Sequence, residues 1–416
     1  MINRRIVIIG AGPAGILASI IASKNNNQVI LLEKNREIGK KLSITGGGRC
    51  NITNNCDIDT FIKNTVSNSR FLYSSFNTFD NQDLMNFLEG NGLNLKVEEL
   101  GRVFPASNAS SEVIDFFLEL IQKERIDLRL NTQVKGIKAD KEAVYSVILS
   151  DNSEIKADSI ICTTGGMSYP NTGSTGDGYN IVEKLGHKIV DIKPALSPIE
   201  IDEEWAKSLM GLSLTNIAVT CKIKIKNKVK KSIHKGSIIF THYGVSGPVI
   251  LEISSKINRY ILDDKYEITF FLDFLPDISD SQFELDFKHY TSQKEVTTSI
   301  LQFLNRYMPK NLSRKLLDIL KIDRSTSIQT ISKNELSQLI DIMKRSKMTP
   351  IRLRGIKEAI VTSGGVSTKE IDPKTMESKL IKGLYFAGEI IDVDALSGGF
   401  NLQIAFSTGY VAGSNA

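Results

Sequence analysis

The sequence predicts an α/β fold, in which a Rossmann-like nucleotide-binding domain of the glutathione-reductase type is interrupted by an inserted β-rich subdomain and a helical subdomain. Three observations predict it. A glycine-rich turn joins an apolar run to a helical pattern at the start of the chain. Apolar runs ending in glycine recur near residue 160 and near the C-terminus. From residue 194 to about residue 350 the pattern changes, first to strand formers and then to helical spacing.

Length and composition describe an ordinary globular protein. The chain has 416 residues, of which 41% are hydrophobic and 24% charged, so two or three folded domains are expected and disordered or fibrous classes are excluded. Lys and Arg number 52 against 47 Asp and Glu, a net charge of +5. This mild basic excess permits a polyanionic partner without demanding one.

The four cysteines and four histidines give no sign of a metal site. The cysteines form no CxxC pair, which favours a reducing compartment, and the histidines are scattered. The apolar stretch after Arg4 and Arg5 resembles a secretory signal, but glycines interrupt it, and no run of about 18 apolar residues exists to span a membrane. We expect a cytoplasmic protein without a metal, a membrane span or an obligate protein partner.

The first strand leads into a dinucleotide-binding motif. Residues 6–9 are apolar and β-branched, residues 10–15 follow the GxGxxG pattern, and the next eight residues have helical spacing. Gly10 allows the tight turn, Gly12 lets a pyrophosphate approach the backbone, and Gly15 lets the helix pack closely on the strand. The helix N-terminus supplies unpaired N–H groups for the phosphates.

A carboxylate stands where the ribose of a dinucleotide would bind. The second apolar run, residues 29–32, ends in Glu33, which lies 18 residues past Gly15. The expected spacing is about 20 residues. The two strands and Glu33 together favour nucleotide binding over a chance glycine-rich turn, and an acidic residue favours FAD or NAD over NADP.

Further glycine-rich segments favour FAD. Residues 40–51 place three glycines beside Arg49 and Asn51, which we interpret as a loop lying against a flat or anionic ligand rather than a flexible surface turn. The strand at residues 159–162 leads to Gly165 and Gly166, and residues 384–386 lead to Gly388 and Glu389. A last helix, to about residue 412, would point its N-terminus at the N1/O2 edge of an isoalloxazine. The nucleotide domain is therefore discontinuous.

Long motifs of the chain resemble a known family. They are GAGPAG, ITGGGRCNITN, FPASNASSEV, GGMSYPNTGSTGDGY, FTHYGVSGP, VTSGGVSTKEI and LYFAGEIIDVDALSGGFNLQ. Together they resemble the BaiN/RdsA flavoproteins, also known as aminoacetone-oxidase-like FAD-binding enzymes. The resemblance covers nearly the whole chain and is weakest at residues 280–347. The family often has Thr-Gly where this chain has Ala395-Leu396, on the substrate side of the flavin.

The resemblance implies which residues bind FAD and which reactions to expect. The implied FAD-binding residues are Gly10, Gly12, Pro13, Ala14, Gly15, Glu33, Lys34, Lys41, Gly46, Gly47, Gly48, Arg49, Cys50, Asn51, Val134, Thr164, Gly165, Gly166, Gly388, Glu389, Gly399, Asn401, Leu402 and Gln403. The implied reactions are reduction of a carbon–carbon double bond conjugated to a carbonyl, in a steroid-like small molecule or a uridine of ribosomal RNA, and amine oxidation in relatives.

The domain boundaries follow from the change in pattern. We expect an FAD-binding domain at 1–193 and 351–416, a β-rich subdomain at 194–279 and a helical subdomain at 280–350. Residues 221–226 alternate strictly, as in a half-exposed strand, and Asn227-Lys228 could form its hairpin turn. The apolar stripes at 300–304 and 316–320 are interpreted as packing faces.

Three side chains are candidate proton donors. His242 lies in a turn-rich segment between a strand and a helix, where it either protonates substrate or shapes the turn through a hydrogen bond. Tyr243 is its neighbour. Cys50 lies in the flavin loop, but since a buried small hydrophobe is the commoner role of cysteine it ranks below His242.

One segment of the insertion is rich in lysine. Its six lysines are Lys222, Lys224, Lys226, Lys228, Lys230 and Lys231. A solvated edge that discourages sheet pairing is the favoured interpretation, and a surface that contacts RNA phosphates is the alternative.

Three functions remain open on the sequence. The leading one is an FAD-dependent reductase of an activated alkene, in which a hydride goes to the β-carbon and a proton to the α-carbon. No second GxGxxG follows a strand, so NADH or NADPH would visit the flavin transiently and leave before substrate enters. The alternatives are an amine oxidase and a non-catalytic FAD-binding scaffold, which is disfavoured because the insertion carries motifs expected to close over a flavin.

Overall fold

The structure is a computed structural model that describes residues 4–140, 143–292 and 298–416. The chain divides into two compact units: unit 1 comprises residues 1–195 and 356–416, and unit 2 comprises residues 196–355. The predicted boundary at residue 279/280 falls inside unit 2.

The β-strands are, in chain order, β1 (Arg5–Ile9), β2 (Gln28–Leu32), β3 (Thr53–Asn54), β4 (Leu95–Val97), β5 (Arg102–Pro105), β6 (Asp127–Arg129), β7 (Val134–Ala139), β8 (Val144–Leu149), β9 (Glu154–Lys156), β10 (Ser159–Cys162), β11 (Ile189–Ala195), β12 (Ile199–Ile201), β13 (Ser213–Ile225), β14 (Lys228–Thr241), β15 (Gly244–Ser246), β16 (Tyr266–Asp273), β17 (Ser346–Met348), β18 (Pro350–Leu353), β19 (Val361–Val366) and β20 (Leu384–Phe386).

The α-helices are α1 (Pro13–Ser23), α2 (Lys40–Gly48), α3 (Ile58–Asn64), α4 (Tyr73–Thr78), α5 (Asn81–Gly90), α6 (Ser110–Lys123), α7 (Asp177–Glu183), α8 (Glu204–Lys207), α9 (Pro248–Ile257), α10 (Asp280–Thr291), α11 (Ile300–Leu304), α12 (Lys310–Leu320), α13 (Lys333–Arg345) and α14 (Phe400–Asn415). Short 3₁₀ helices lie at Ser69–Leu72, Glu99–Gly101, Pro170–Thr172, Ile328–Thr330, Thr368–Glu370 and Gly388–Ile390.

Unit 1 is built on a parallel sheet. Its strand order is β20-β10-β1-β2-β6, with Ile6 opposite both Ser159 and Val29. The four strands β1, β2, β10 and β20 are almost entirely buried, which explains why the sequence shows continuous apolar runs rather than alternation. This is the Rossmann-type arrangement that the sequence predicts, and the predicted fold class is confirmed.

The C-terminal helix completes unit 1 by packing against the first helix. Both α1 and α14 are buried on most of their surface. A Cβ added at Gly409 would lie 2.4 Å from the carbonyl oxygen of Ala14, and one at Gly413 would lie 2.4 Å from that of Ala18. Glycine at these positions therefore lets the two helix backbones approach closely. The helix runs to Asn415, three residues beyond the predicted end.

Unit 2 contains a seven-stranded sheet of order β17-β16-β13-β14-β15-β12-β18. Its pairings are antiparallel. The strands β17 and β18 are separated by Thr349 alone, yet they stand at opposite ends of this order. The sheet must therefore curve until its two edges meet, as in a barrel.

Helices α10 to α13 lie between β16 and β17 in the chain and share one buried apolar cluster with the sheet. The stripes predicted as packing faces belong to this cluster, with Phe303 and Leu316 fully buried. The predicted hairpin turn was wrong by one residue: Ile225 pairs with Lys228, so Lys226 and Asn227 form the turn. Lys226 takes the left-handed conformation there, with φ of 50°.

Candidate functional site

The turn between β1 and α1 combines two close contacts with an open space. Gly10 has φ of +102°, and a Cβ on it would lie 2.7 Å from the carbonyl oxygen of Thr163. A Cβ on Gly15 would lie 1.9 Å from the carbonyl oxygen of Gly10. Around Gly12, by contrast, no atom of the described residues other than Gly12 and its two chain neighbours lies within 4 Å of the Cβ position. Packing thus explains two of the glycines, and the space above the third suits a ligand.

The N-terminus of α1 faces that space without a side-chain cap. Gly12 is the N-cap residue and Pro13 follows it, so the first-turn N–H groups, beginning with Ala14, have no partner within the helix. No acidic residue stands in this turn. An anion would satisfy these donors and would interact favourably with the helix dipole.

Glu33 lies at the end of β2 and is 8% exposed. Its Oε2 accepts from the N–H of Ala11 at 2.8 Å, and its Oε1 accepts from the backbone and side-chain amides of Asn35, both at 2.8 Å. Since a carboxylate oxygen accepts about two hydrogen bonds, Oε2 retains an acceptor position for a ribose hydroxyl.

Lys34 and Val134 lie in the same unit. The ammonium of Lys34 binds the carboxylate of Asp177 and the hydroxyl of Thr175, both at 2.7 Å. Burial acts to raise the pKa of Asp177, but the hydrogen bonds from Lys34, Thr175 and Gln133 and the charge of Lys34 together outweigh it, so the pKa lies below its usual value. Val134 is buried at the start of β7. Lys34 is thus held by a protein carboxylate.

The segment at residues 40–51, expected to be a loop, begins as a helix. Helix α2 begins at Lys40, and the helical conformation is lost only from Thr45. Gly46, Gly47 and Gly48 have φ of +58°, +70° and +85°. Next to Gly47 and Gly48 the Cβ positions face open space. Consecutive left-handed glycines turn the backbone so that it exposes its amide groups, an arrangement that suits a flat or anionic ligand.

Arg49 is held at the end of this segment. Its guanidinium donates to Glu98 at 2.6 Å and lies 3.9 Å from the ring centroid of Phe104. The hydrogen bond from Arg49 lowers the pKa of Glu98. Arg49 is therefore fixed by protein contacts, while the glycines beside it stay open.

A second ion pair joins distant parts of the chain. Lys41 donates to Glu389 at 2.6 Å and to Ser168 at 2.7 Å, and Glu389 accepts the N–H of Thr362 at 2.9 Å. Burial acts to raise the pKa of Glu389, but the charge of Lys41 and these hydrogen bonds outweigh it, so its pKa lies below the usual value. The carboxylate is therefore ionised at neutral pH.

The glycines next to this network allow its close packing. A Cβ on Gly166 would lie 2.3 Å from the hydroxyl of Thr362. Gly165 has φ of +74° and Gly388 has φ of +77°. Thr164 lies two residues beyond the end of β10, directly before Gly165.

The N-terminus of α14 is anchored by three polar side chains. Asn401 bonds both the N–H and the carbonyl oxygen of Ala395, at 2.9 and 2.8 Å. Gln403 is buried and accepts from the hydroxyl of Thr53 at 2.6 Å. When the side-chain amide of Asn51 is oriented so that both its oxygen and its nitrogen have hydrogen-bond partners, the oxygen accepts the N–H of Gly399 at 3.0 Å. Gly399 caps the helix with φ of +97°, and Leu402, in the first turn, is partly buried.

These features of unit 1 fit FAD. The open space over Gly12 and the uncapped start of α1 suit a pyrophosphate, the remaining acceptor of Glu33 suits a ribose, and the open backbone at Gly47 and Gly48 suits a flat ring. All the cofactor-binding residues proposed from the sequence lie in this unit.

The candidate proton donors have different environments. Cys50 has no exposed surface, and burial raises the pKa of its thiol to about 12. A neutral, fully buried thiol is suited to packing rather than proton transfer. His242 and Tyr243 lie in unit 2, between β14 and β15.

His242 is exposed, and its ring meets that of Tyr243 edge to face at 4.8 Å. In the described part of the chain no hydrogen bond to the His242 side chain occurs, so the turn is not built on one. The guanidinium of Arg354 lies 4.5 Å from the ring centroid of Tyr243 and donates to Glu200 at 2.6 Å. We call His242, Tyr243, Arg354 and Glu200 the Tyr243 cluster.

The family model described as the HI0933-like protein Rossmann domain matches residues 4–415. The chain belongs to this family. A 3-dehydro-bile acid delta(4,6)-reductase of Clostridium scindens is 30% identical over 415 residues, covering 99% of this chain and 98% of the relative. A ribosomal RNA dihydrouridine synthase of Haemophilus influenzae is 30% identical over 410 residues, covering 97% and 96%. The recognition made from the motifs is confirmed.

Among solved structures, the open conformation of a flavocytochrome c3 fumarate reductase matches with a TM-score of 0.52. It is 17% identical and the match covers 99% of this chain and 78% of that one, so it supports the fold alone. Together these findings make the protein an FAD-dependent oxidoreductase.

The lysine-rich segment is the β13–β14 hairpin, and it is only partly a sheet edge. Lys222 and Lys224 lie on β13, which pairs with a strand on each side. Among the described strands, the first half of β14 pairs with β13 alone. Lys222 and Lys231 stand directly opposite each other. Lys224 pairs with Glu267 at 3.3 Å. The remaining positive charge faces solvent.

Several members of these clusters were not predicted from the sequence. Ser168 and Thr362 complete the network around Glu389, and Arg354 and Glu200 complete the Tyr243 cluster. Ser168 and Thr362 stand inside the motifs GGMSYPNTGSTGDGY and VTSGGVSTKEI. Their position inside these motifs could have identified them as site residues.

Two features are absent from the described residues. No helix there is long and apolar enough to cross a membrane. No group of three or more His, Cys, Asp or Glu side chains in the same residues could hold a metal ion.

Proposed function

We propose that the protein uses NADH or NADPH to reduce a carbon–carbon double bond conjugated to a carbonyl, and that its substrate is a uridine in ribosomal RNA. The supporting observation is the match, over nearly the whole chain, to two relatives whose names describe this one type of reduction. In a 3-oxo steroid with a neighbouring double bond, and in uridine, the reducible bond is conjugated to a carbonyl. One catalytic arrangement serves both.

The reaction transfers two electrons. NAD(P)H is oxidised to NAD(P)⁺, and the substrate gains a hydride at its β-carbon and a proton at its α-carbon. When bound, FAD supplies the hydride transfer between the two. The cofactor-binding residues proposed above would hold it, with the start of α1 at the pyrophosphate and Glu33 at the ribose.

We assign the remaining tasks to the Tyr243 cluster. His242 or Tyr243 donates the proton to the α-carbon, since an imidazole N–H or a phenol O–H can give up a proton that solvent water then restores. Arg354 is held by Glu200 at 2.6 Å and supplies a fixed positive charge for the carbonyl oxygen, where negative charge develops. Cys50 is not assigned a catalytic step, because its thiol is buried and neutral.

Two features favour RNA over a small molecule. The chain has a net charge of +5, and the lysines of the β13–β14 hairpin are exposed to solvent. Phosphate contacts by such groups supply most of the affinity of proteins for nucleic acids.

The donor is tested by mixing the purified holoenzyme with NADH or NADPH without oxygen and following the visible flavin band. Rapid bleaching is expected with at least one of them. No bleaching with either would contradict the proposed donor and would direct the search to amines, with peroxide release as the signal of an oxidase.

The substrate is tested on ribosomal RNA from a strain lacking the gene. The enzyme and NAD(P)H should introduce dihydrouridine, measured by mass spectrometry of the digested nucleosides. A 3-oxo steroid with a conjugated double bond is the parallel substrate. Reduction of the steroid with unchanged RNA would contradict the RNA assignment and retain the alkene reductase.

A further inference from the structure

A cavity of about 470 Å³ lies wholly within unit 2. One wall is the turn at residues 208–212, and the other is one face of α12. That face consists of Asn311, Arg314, Lys315 and Asp318, which share a side of the helix because they are spaced three or four residues apart. We call this cavity the α12 pocket.

The charge lining the α12 pocket is positive. Arg314 and Lys315 face a single carboxylate, that of Asp318. Asp318 is already held by Arg324, whose Nη2 donates to both carboxylate oxygens at 2.8 Å. The hydrogen bond from Arg324 lowers the pKa of Asp318, and Lys315 and Arg314 lower it further. The carboxylate therefore does not neutralise the two cations.

One N–H donor of Arg314 has no hydrogen-bond acceptor among the described residues. This donor is Nε, which is shielded from solvent. A buried donor without an acceptor is unfavourable, and a small rotation of the side chain toward the pocket would let a ligand oxygen accept it. The planar guanidinium matches the oxygens of a phosphate.

The other lining groups suit a ligand larger than a free anion. Ser208 and Asn311 add polar side chains, and Met210 presents an apolar side chain that is 65% exposed. The volume exceeds that of one phosphate, which leaves space for an attached sugar or base.

We propose that the α12 pocket binds a phosphate group of the RNA substrate, with Arg314 and Lys315 contacting the phosphate oxygens and Met210 contacting the adjoining nucleoside. This rests on the proposed RNA substrate. The pocket is separate from the β13–β14 hairpin, and no group that reacts with the substrate is placed in it.

The test is the affinity of the oxidised holoenzyme for fluorescein-labelled oligouridine, followed by anisotropy at several salt concentrations. The double variant Arg314→Gln/Lys315→Gln removes the pocket charge. The control Lys265→Gln/Lys333→Gln removes the same charge from exposed positions of unit 2. We expect the pocket variant to bind about tenfold more weakly than the control, with a smaller dependence of affinity on salt.

Equal affinity of the two variants would overturn the proposal, since it would show that only net charge matters. Competition with AMP and with inorganic phosphate separates the sources of the phosphate. Binding of AMP that depends on Arg314, without any effect on oligouridine, would overturn the assignment to RNA.

The binding measurement does not depend on whether the enzyme turns over its substrate. If the pocket variant loses RNA affinity and wild-type enzyme forms no dihydrouridine, the proposed function fails and the pocket stands. If both variants modify ribosomal RNA with equal efficiency at limiting RNA, the function stands and the pocket fails. Bleaching of the flavin by NAD(P)H should be the same in both variants and confirms their folding.

Discussion

Alanine substitutions of Gly12 and Gly15 should distinguish a glycine that the ligand requires from one that the fold requires. The φ of Gly12 is −82°, a value that alanine adopts without strain, and the added methyl group would meet no atom of the described residues within 4 Å apart from its chain neighbours. We therefore expect the apoprotein of Gly12→Ala to unfold at a free energy within about 1 kcal/mol of wild type.

FAD binding should respond differently. If a pyrophosphate occupies the space over Gly12, the methyl group overlaps it, and overpacking of this kind costs about 1–3 kcal/mol. Since 1.4 kcal/mol is a factor of ten, FAD should bind about 5- to 150-fold more weakly.

Gly15→Ala is the matched control. Its Cβ would lie 1.9 Å from the carbonyl oxygen of Gly10 and 2.5 Å from the hydroxyl of Thr163, whereas carbon–oxygen contacts are ordinarily about 3.3 Å or longer. Helix α1 must move, so this apoprotein should lose about 1–3 kcal/mol of stability, less a gain of up to about 1 kcal/mol from helix propensity.

The assay is urea unfolding of each apoprotein together with titration of FAD, followed by quenching of flavin fluorescence. Wild-type FAD affinity in Gly12→Ala would refute the placement of the pyrophosphate. Equal destabilisation of the two apoproteins would refute the distinction between the two glycines.

Three further predictions concern single side chains. Glu389→Gln should lower the free energy of unfolding at neutral pH, because Lys41 loses its charged partner. Since the pKa of Glu389 is depressed in the folded protein, the difference in unfolding free energy between wild type and variant should shrink as pH falls below the usual carboxyl pKa. Urea unfolding from about pH 7 downward measures it. Cys50→Ala should keep turnover within about threefold of wild type, and a large loss of turnover would contradict the packing role of Cys50. In the native protein Cys50 should not react with iodoacetamide, as checked by peptide mass spectrometry, because its pKa of about 12 leaves little thiolate. His242→Ala should slow reoxidation of the reduced flavin by substrate about 100-fold and leave FAD affinity unchanged. Stopped-flow spectroscopy measures the reoxidation rate, and Tyr243→Phe is compared in the same assay. Unimpaired reoxidation in both variants would show that neither side chain acts in catalysis.

Much of the nucleotide-binding unit follows from local sequence rules. A β-branched run, a GxGxxG turn and a helical pattern predict β1 and α1, because strand burial and turn geometry depend on neighbouring residues. The alternation at residues 221–226 predicts the end of β13 in the same way. The register of the hairpin was missed by one residue, because no glycine marks its turn.

The sites depend on contacts that local rules do not describe. Lys41 and Glu389 are 348 residues apart, and Tyr243 and Arg354 meet although more than a hundred residues separate them. The sequence by itself determined the strand–turn–helix unit, its glycines and the acidic residue after β2. Only the tertiary structure decided which charges are paired, that Cys50 is buried, and that the Nε of Arg314 has no acceptor among the described residues. The physical reason is that backbone propensity acts over a few residues, whereas burial and charge pairing depend on which distant segments pack together.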